Sequence, residues 1–147
     1  MAAIIKDYGT AITAPANPTR TGYTFAGWDK EIPSTMPAEN ITIKANWTIN
    51  QYTIKYVYRN ASGVSTTKEV KLDYNTAAST VTSNAPSVST VQSASTVYTF
   101  TKWNKTFATV TDNVTYTAQY AELKNAYKVS FLGLDGSVLY EANFDYG

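Results

Sequence analysis

Apolar and polar positions alternate with period two through most of this chain, and the alternation slips twice at the same kind of place. In Gly22-Tyr23-Thr24-Phe25-Ala26-Gly27-Trp28, Tyr23 and Phe25 share one face of a strand, but the next large apolar residue, Trp28, comes one position late. Tyr98-Thr99-Phe100-Thr101-Lys102-Trp103 slips identically. A strand that loses phase by one residue and then resumes predicts a bulge, here at Ala26-Gly27 and Thr101-Lys102, which returns each Trp to the core face. Each copy precedes a second alternating stretch that ends on an aromatic ring, Ile41-Thr42-Ile43-Lys44-Ala45-Asn46-Trp47 and Val114-Thr115-Tyr116-Thr117-Ala118-Gln119-Tyr120. Tyr23, Phe25, Trp28, Trp47, Phe100, Trp103 and Tyr120 form the expected structural core.

Between and after these copies the pattern predicts further strands. Tyr52-Thr53-Ile54-Lys55-Tyr56-Val57-Tyr58 alternates, Asn60-Ala61-Ser62-Gly63 supplies turn chemistry, and Val64 to Leu72 returns as the hairpin partner. Tyr127-Lys128-Val129-Ser130-Phe131 repeats the Tyr52 strand, Asp135-Gly136 is a hairpin turn signal, and Val138 to Phe144 returns. Asp73-Tyr74-Asn75-Thr76 repeats Asp7-Tyr8-Gly9-Thr10, and Asn75 tolerates the positive φ that Gly9 allows. Pro15 and Pro18 rule out a long helix in the first crossover, whereas Thr76 to Thr96 admits a short helix or an irregular connection.

The recurrence at a spacing of roughly 66 to 75 residues points to tandem small modules rather than one large domain. The expected division is residues 1–49, a module lacking its first hairpin; 50–122, a complete module; and 123–147, the opening hairpin of a next module. Thr48-Ile49-Asn50-Gln51 is the linker between the first two, short enough to hold them end to end with restricted freedom. An unfinished sheet exposes an edge, so Tyr127–Tyr146 is expected to complete the Asp7–Trp47 half. Two routes stay open: completion within the chain, or in a neighbouring chain as a strand-swapped or head-to-tail self-association.

Composition narrows the function classes. Modules this small bury little core per residue, which suits a chain with 12 Tyr, 5 Phe and 3 Trp and only 16% charged residues. The net charge of +1, without a basic run, argues against nucleic acid as a partner. No apolar stretch reaches membrane-spanning length, so membrane insertion is not expected, and Met1-Ala2-Ala3 does not read as a signal peptide. Without Cys or His the chain has no thiol nucleophile, no Cys/His zinc site and no histidine base. No cofactor, no metal and no catalytic residue is expected.

Taken together, Asp7-Tyr8-Gly9-Thr10, Pro18-Thr19-Arg20-Thr21-Gly22-Tyr23-Thr24-Phe25-Ala26-Gly27-Trp28 and Ile41 to Trp47 resemble the Listeria–Bacteroides repeat. That is the internalin-type B repeat found in tandem on bacterial surface proteins. Residues 52–120 resemble it more loosely, keeping the Asp-Tyr, the Tyr-Thr-Phe-x-x-Trp and the closing aromatic strand but losing Pro-Thr-Arg-x-Gly. The resemblance implies a mostly β, α+β chain of β-grasp-like modules, each a mixed sheet with a short helix or crossover. It also implies a secreted or wall-attached protein whose repeats act as spacers or adhesive segments, with no catalytic motif.

The remaining chemistry is sparse. Asp7, Asp73 and Asp145 recur at the Asp-Tyr junctions and are expected to form Asx-type turns rather than a calcium site, which needs an Asp/Asn-dense loop. An isopeptide bond from Lys55 or Lys128 would need an Asn and a buried acid, which the sequence does not set beside either lysine. The leading expectation is a non-enzymatic spacer or interaction repeat. The alternative is an adhesin module that contacts a host glycan or protein through exposed aromatic rings, with Tyr58, Tyr74 and Tyr140 as the candidate contacts.

Overall fold

A computed structural model describes residues 4–146; the Met1-Ala2-Ala3 start and Gly147 lie outside them. Tyr23–Trp28 (β1) and Ala45–Ile49 (β2) form an antiparallel pair. Phe25 faces Trp47, and the register then shifts so that Trp28 faces Ala45. The expected bulge is present, and its effect is visible in the rings: Phe25 meets both Trp28 and Trp47 edge-on, at 5.2 and 5.8 Å.

Gln51–Arg59 (β3) and Ser65–Asp73 (β4) form a hairpin in unbroken register from Gln51↔Asp73 to Arg59↔Ser65. The turn is held by Asn60, whose side-chain oxygen accepts from the N–H groups of Ser62 and Val64. Ala78–Asn84 is the one helix (α1) among the described residues, followed by Val91–Gln92 (β5), Thr96–Trp103 (β6) and Val114–Lys124 (β7). These strands make one sheet in the order β4-β3-β7-β6-β5. β3 and β7 run parallel at its centre, and the other neighbours are antiparallel. The chain is mostly β with a mixed sheet and a single short helix, as expected, and the strand order is compatible with a β-grasp arrangement. The second bulge falls between Phe100 and Lys102 and brings Trp103 opposite Ala118. Ala126–Leu132 (β8) and Val138–Asp145 (β9) form a third sheet, a hairpin that pairs with neither of the others. Completion of the β1–β2 half within the chain therefore does not occur in this structure.

Backbone hydrogen bonds show how far the two larger units share one plan. In the first, Gly9 N–H donates to Met36 O and Met36 N–H to Thr10 O; in the second, Asn75 N–H donates to Val110 O and Val110 N–H to Thr76 O. Asn75 takes φ +64° where Gly9 has φ +74°, so the turn survives the exchange. Asp29 N–H donates to Lys44 O just as Asn104 N–H does to Thr117 O, and Lys44 and Thr117 return the bond to the Asp29 and Asn104 side chains. The crossovers differ as the prolines dictate. Residues 11–19 run without a helix, whereas the proline-free segment after Ala77 makes α1.

One expected strand is shorter than its pattern. Ile41–Lys44 alternates like Val114–Thr117 but lies outside β2, which begins at Ala45. The reason is the neighbour. Val114–Thr117 pairs with Ile54–Val57 of β3, and no strand among the described residues lies beside Ile41–Lys44.

The fully buried centre is Ile54 and Tyr56 of β3, Val81 of α1, Tyr116 of β7 and Val110 of the loop before β7, with Trp103 and Phe107 packed against it. Tyr56 is the hub. Its ring lies 5.9 Å from Tyr116, 6.0 Å from Trp103 and 6.1 Å from Phe107. Its hydroxyl donates to the carbonyl of Val81, one of the last-turn carbonyls a helix cannot satisfy internally. Burial and the neighbouring Tyr116 push the Tyr56 hydroxyl up from 10.0 to about 12. Between those two values an unfolded chain releases this proton while the folded one holds it, so stability falls as pH rises through the window. Tyr56→Phe is expected to cost about 0.5–1.5 kcal/mol near neutrality through the lost hydrogen bond. The variant should also lose less stability than wild type on going from mildly alkaline pH into that window, a difference that urea midpoints at the two pH values will read.

Candidate functional site

Beyond the buried centre, the inner face of the five-stranded sheet continues as an aromatic strip capped by a cation. Phe100 and Tyr98 each meet Tyr120 edge-on, at 6.0 and 6.3 Å. The Arg59 guanidinium lies 3.7 Å above the Tyr98 ring and donates to Gly63 O at 2.8 Å, while Arg59 N–H donates to the Tyr120 hydroxyl at 2.8 Å. In the first unit Arg20 covers Tyr23 in the same manner, at 3.8 Å. Every ring of Tyr23, Phe25, Trp28, Trp47, Phe100, Trp103 and Tyr120 is half-buried. Each of these rings meets at least one other aromatic ring at 5.2–6.5 Å, and Arg20 lies over Tyr23.

The most ordered polar geometry lies at the junctions between units. A single residue, Asn50, separates β2 from β3, and a single residue, Asn125, separates β7 from β8. Asn50 N–H donates to Gly22 O at 2.9 Å, and Asn50 O accepts from Tyr74 N–H at 2.8 Å. Asn125 repeats the pattern: its N–H donates to Ser95 O at 2.9 Å, and its carbonyl accepts from Tyr146 N–H at 2.9 Å. Side chains reinforce both. Thr24 Oγ1 donates to Asn50 Oδ1 at 2.7 Å, and Asn125 Nδ2 donates to the carbonyls of Ser93 and Ala94. At the first junction the Tyr74 ring packs edge-on to Tyr23 at 6.5 Å and lies directly over Gly22. At the second, the Tyr127 hydroxyl donates to Ala94 O at 2.6 Å. Each linker asparagine thus ties the turn before one unit's strand to the end of the next unit's hairpin.

The candidate contact tyrosines are not brought together. Tyr58 lies half-buried on β3, Tyr74 is half-buried at the first junction, and only Tyr140 stands exposed, on β9 beside Phe131. For Tyr58 and Tyr74 this corrects the expectation of exposure; the alternation put Tyr58 on the same face as Ile54 and Tyr56. The Asx-type turns are corrected too. Thr76 N–H and Oγ1 both bond the backbone carbonyl of Asp73, while the Asp73 carboxylate accepts from Gln51 Nε2. Lys55 and Lys128 form exposed ion pairs with Glu69 and Glu141. Asp135 is held below the usual carboxylate range by the hydroxyl and N–H of Ser137, which fix the β8–β9 turn. Among the described residues no group of His, Cys, Asp or Glu could hold a metal ion, and no helix is long and apolar enough to cross a membrane.

Sequence reasoning located the junctions as linkers but missed the asparagine bridges, although Asn at the same place in both linkers was the available signal. It also passed over Ile54 and Tyr56, which stand on β3 between β4 and β7.

The chain is a mostly β protein whose two larger units share backbone bonds at matching positions. Residues 3–49 match the Listeria–Bacteroides repeat domain, and that segment is such a repeat. The family is a repeat domain, not an enzyme family. The chain is 30% identical over 95% of its length to a protein of Evansella cellulosilytica described as a Gly-rich membrane protein, of which the match covers 17%. A second protein of that organism, described as a membrane protein, is 32% identical over 54% of the chain and 12% of its own length. Internalin H of Listeria monocytogenes is 44% identical over 31% of the chain and 10% of its own length. The chain thus spans less than a fifth of each of these relatives. No solved structure matches it significantly.

The junction geometry makes Gly22 irreplaceable. A Cβ there would stand 1.9 Å from Tyr74 Cδ1, on a residue with φ +76°. Gly22→Ala is expected to cost at least about 1–2 kcal/mol from the left-handed backbone alone. Trp28 and Trp47 fluorescence should report a lower denaturant midpoint in the variant; an unchanged midpoint would show that the junction does not contribute to stability.

Proposed function

We propose that this chain is a structural spacer segment of a bacterial cell-surface protein, in which each repeat advances the chain by a fixed step. The observation that carries the reading is the pair of single-residue junctions at Asn50 and Asn125, bonded in the same way on both sides. Within the five-stranded sheet the chain enters at the start of β3 and leaves at the end of β7, and these strands are parallel neighbours. Entrance and exit therefore lie at opposite ends of the sheet. The 11 residues of β7 alone advance the chain by roughly 36 Å. A flexible linker would lose that displacement to random orientation, whereas a bonded asparagine keeps it. The names of the relatives, two membrane proteins and an internalin, support a surface location. The dispersal of Tyr58, Tyr74 and Tyr140, of which only Tyr140 is exposed, favours this reading over a glycan-binding one.

Small-angle scattering tests it. Insertion of Gly-Ser repeats after Asn50 should leave the circular dichroism of the chain unchanged while broadening its distance distribution. If wild type and insertion variant scatter alike, the junction is not rigid and the spacer reading fails.

A further inference from the structure

Among the described residues no strand lies on the β2 edge that faces away from β1, and beside it lies an apolar groove of about 670 Å³ lined in part by Ile12, Trp28, Ile32, Met36, Ile41 and Ile43. The five-stranded sheet shows what belongs there. β7, the counterpart of β2, carries the β3–β4 hairpin on that same edge, with Ile54 beside Val114 and Tyr56 beside Tyr116. Ile54 and Tyr56 are thereby fully buried among Trp103, Phe107 and Val110. Trp28 and Met36 hold the corresponding places in the first unit, by the bulge and the backbone bonds that the two units share.

The chain also contains a hairpin with the complementary defect. β8 follows Asn125 as β3 follows Asn50, so Val129 and Phe131 stand where Ile54 and Tyr56 stand. Instead of being buried they are 42% and 58% exposed, together with Tyr127 and Phe144 on the same face. On the opposite face Glu141 bonds Ser130 and Lys128, and Leu132 and Leu139 are exposed near the turn. A hairpin that leaves Tyr127, Val129, Phe131 and Phe144 bare on one face is half of a core.

We infer that the β8–β9 hairpin of one copy docks into the groove of a second copy, β8 running parallel to residues 41–44 as β3 runs to β7. The register follows from the existing ladder: Val129 beside Ile41, Ser130 beside Thr42, Phe131 beside Ile43. Ile41–Lys44 then completes the strand its alternation encodes, and an open edge gains its backbone partner. Ile4–Lys6, which line the groove without strand pairing, give way to β9. Because donor and acceptor are different surfaces, the contact is head-to-tail and does not close on itself.

Sedimentation of the full chain should show mass rising with concentration as an open series. Phe131→Asp, which removes the donor, and Ile43→Asp, which removes the acceptor, should each abolish that rise. Mixed in equal amounts they should form a dimer and nothing larger, since the first keeps its groove and the second its hairpin; this recovery separates a lost contact from a misfolded chain. The chain has no cysteine, so Ser130→Cys in one copy and Thr42→Cys in another should form a disulfide on oxidation, well ahead of Ser130→Cys with Thr24→Cys. A monomer at every concentration overturns the inference. So does association that survives Phe131→Asp, a mixture no larger than its parts, or equal linking to position 24.

Discussion

A single side chain, Tyr56, binds the five-stranded sheet to everything that covers it. It sits on β3, stacks on Tyr116 from the central strand β7, meets Trp103 at the bulge of β6 and Phe107 in the following loop, and donates to Val81 in the helix. A unit this small has few ways to bury apolar area, so one large ring that touches four elements does what a layer of aliphatic residues does in a bigger domain. The hydroxyl matters for a separate reason. A seven-residue helix leaves most of its carbonyls outside its own ladder, and one that is buried needs a donor. Burial, helix position and sheet order are thus fixed together by one residue.

That dependence explains which parts of the fold were legible in the residues and which were not. The strands, the two bulges and the hairpin turns follow from local pattern: a period-two slip at Phe25–Trp28 and Phe100–Trp103, Asn60 before Gly63, Asp135 before Gly136. The identity of the buried centre does not follow from local pattern. Trp28 and Trp103 draw attention by size, yet Ile54 and Tyr56 are the fully buried positions: β3 lies between β4 and β7 and is covered by the helix and Phe107, a property of topology. The same cause hid the true state of Ile41–Lys44, whose alternation is that of a strand but whose neighbour is missing. The junction asparagines were visible as linker residues. Their bridging role rests on backbone groups, which all residues share, so the residue type alone could not announce it.

The two larger units also show what a diverging repeat keeps. Gly9 and Asn75 differ but hold the same left-handed turn, and Asp29 and Asn104 differ but accept the same backbone N–H. The crossover, by contrast, changed freely: Pro15 and Pro18 keep it extended in one unit, and in the other a stretch free of proline before Pro86 allows a helix. Positions that satisfy backbone groups are retained in kind, while the covering segment needs only to supply an apolar residue over the sheet.

The parallel pairing of β3 with β7 has a mechanical consequence. The chain enters the sheet through β3 and leaves through β7, so a pull on the two ends drags these neighbours past each other along their own axes. The rungs from Ile54↔Val114 to Val57↔Thr117 would then be loaded in shear, all at once, instead of opening one after another like a zip. A segment tethered at one end and tugged at the other would meet that force with its central ladder and with Tyr56 and Tyr116 stacked across it.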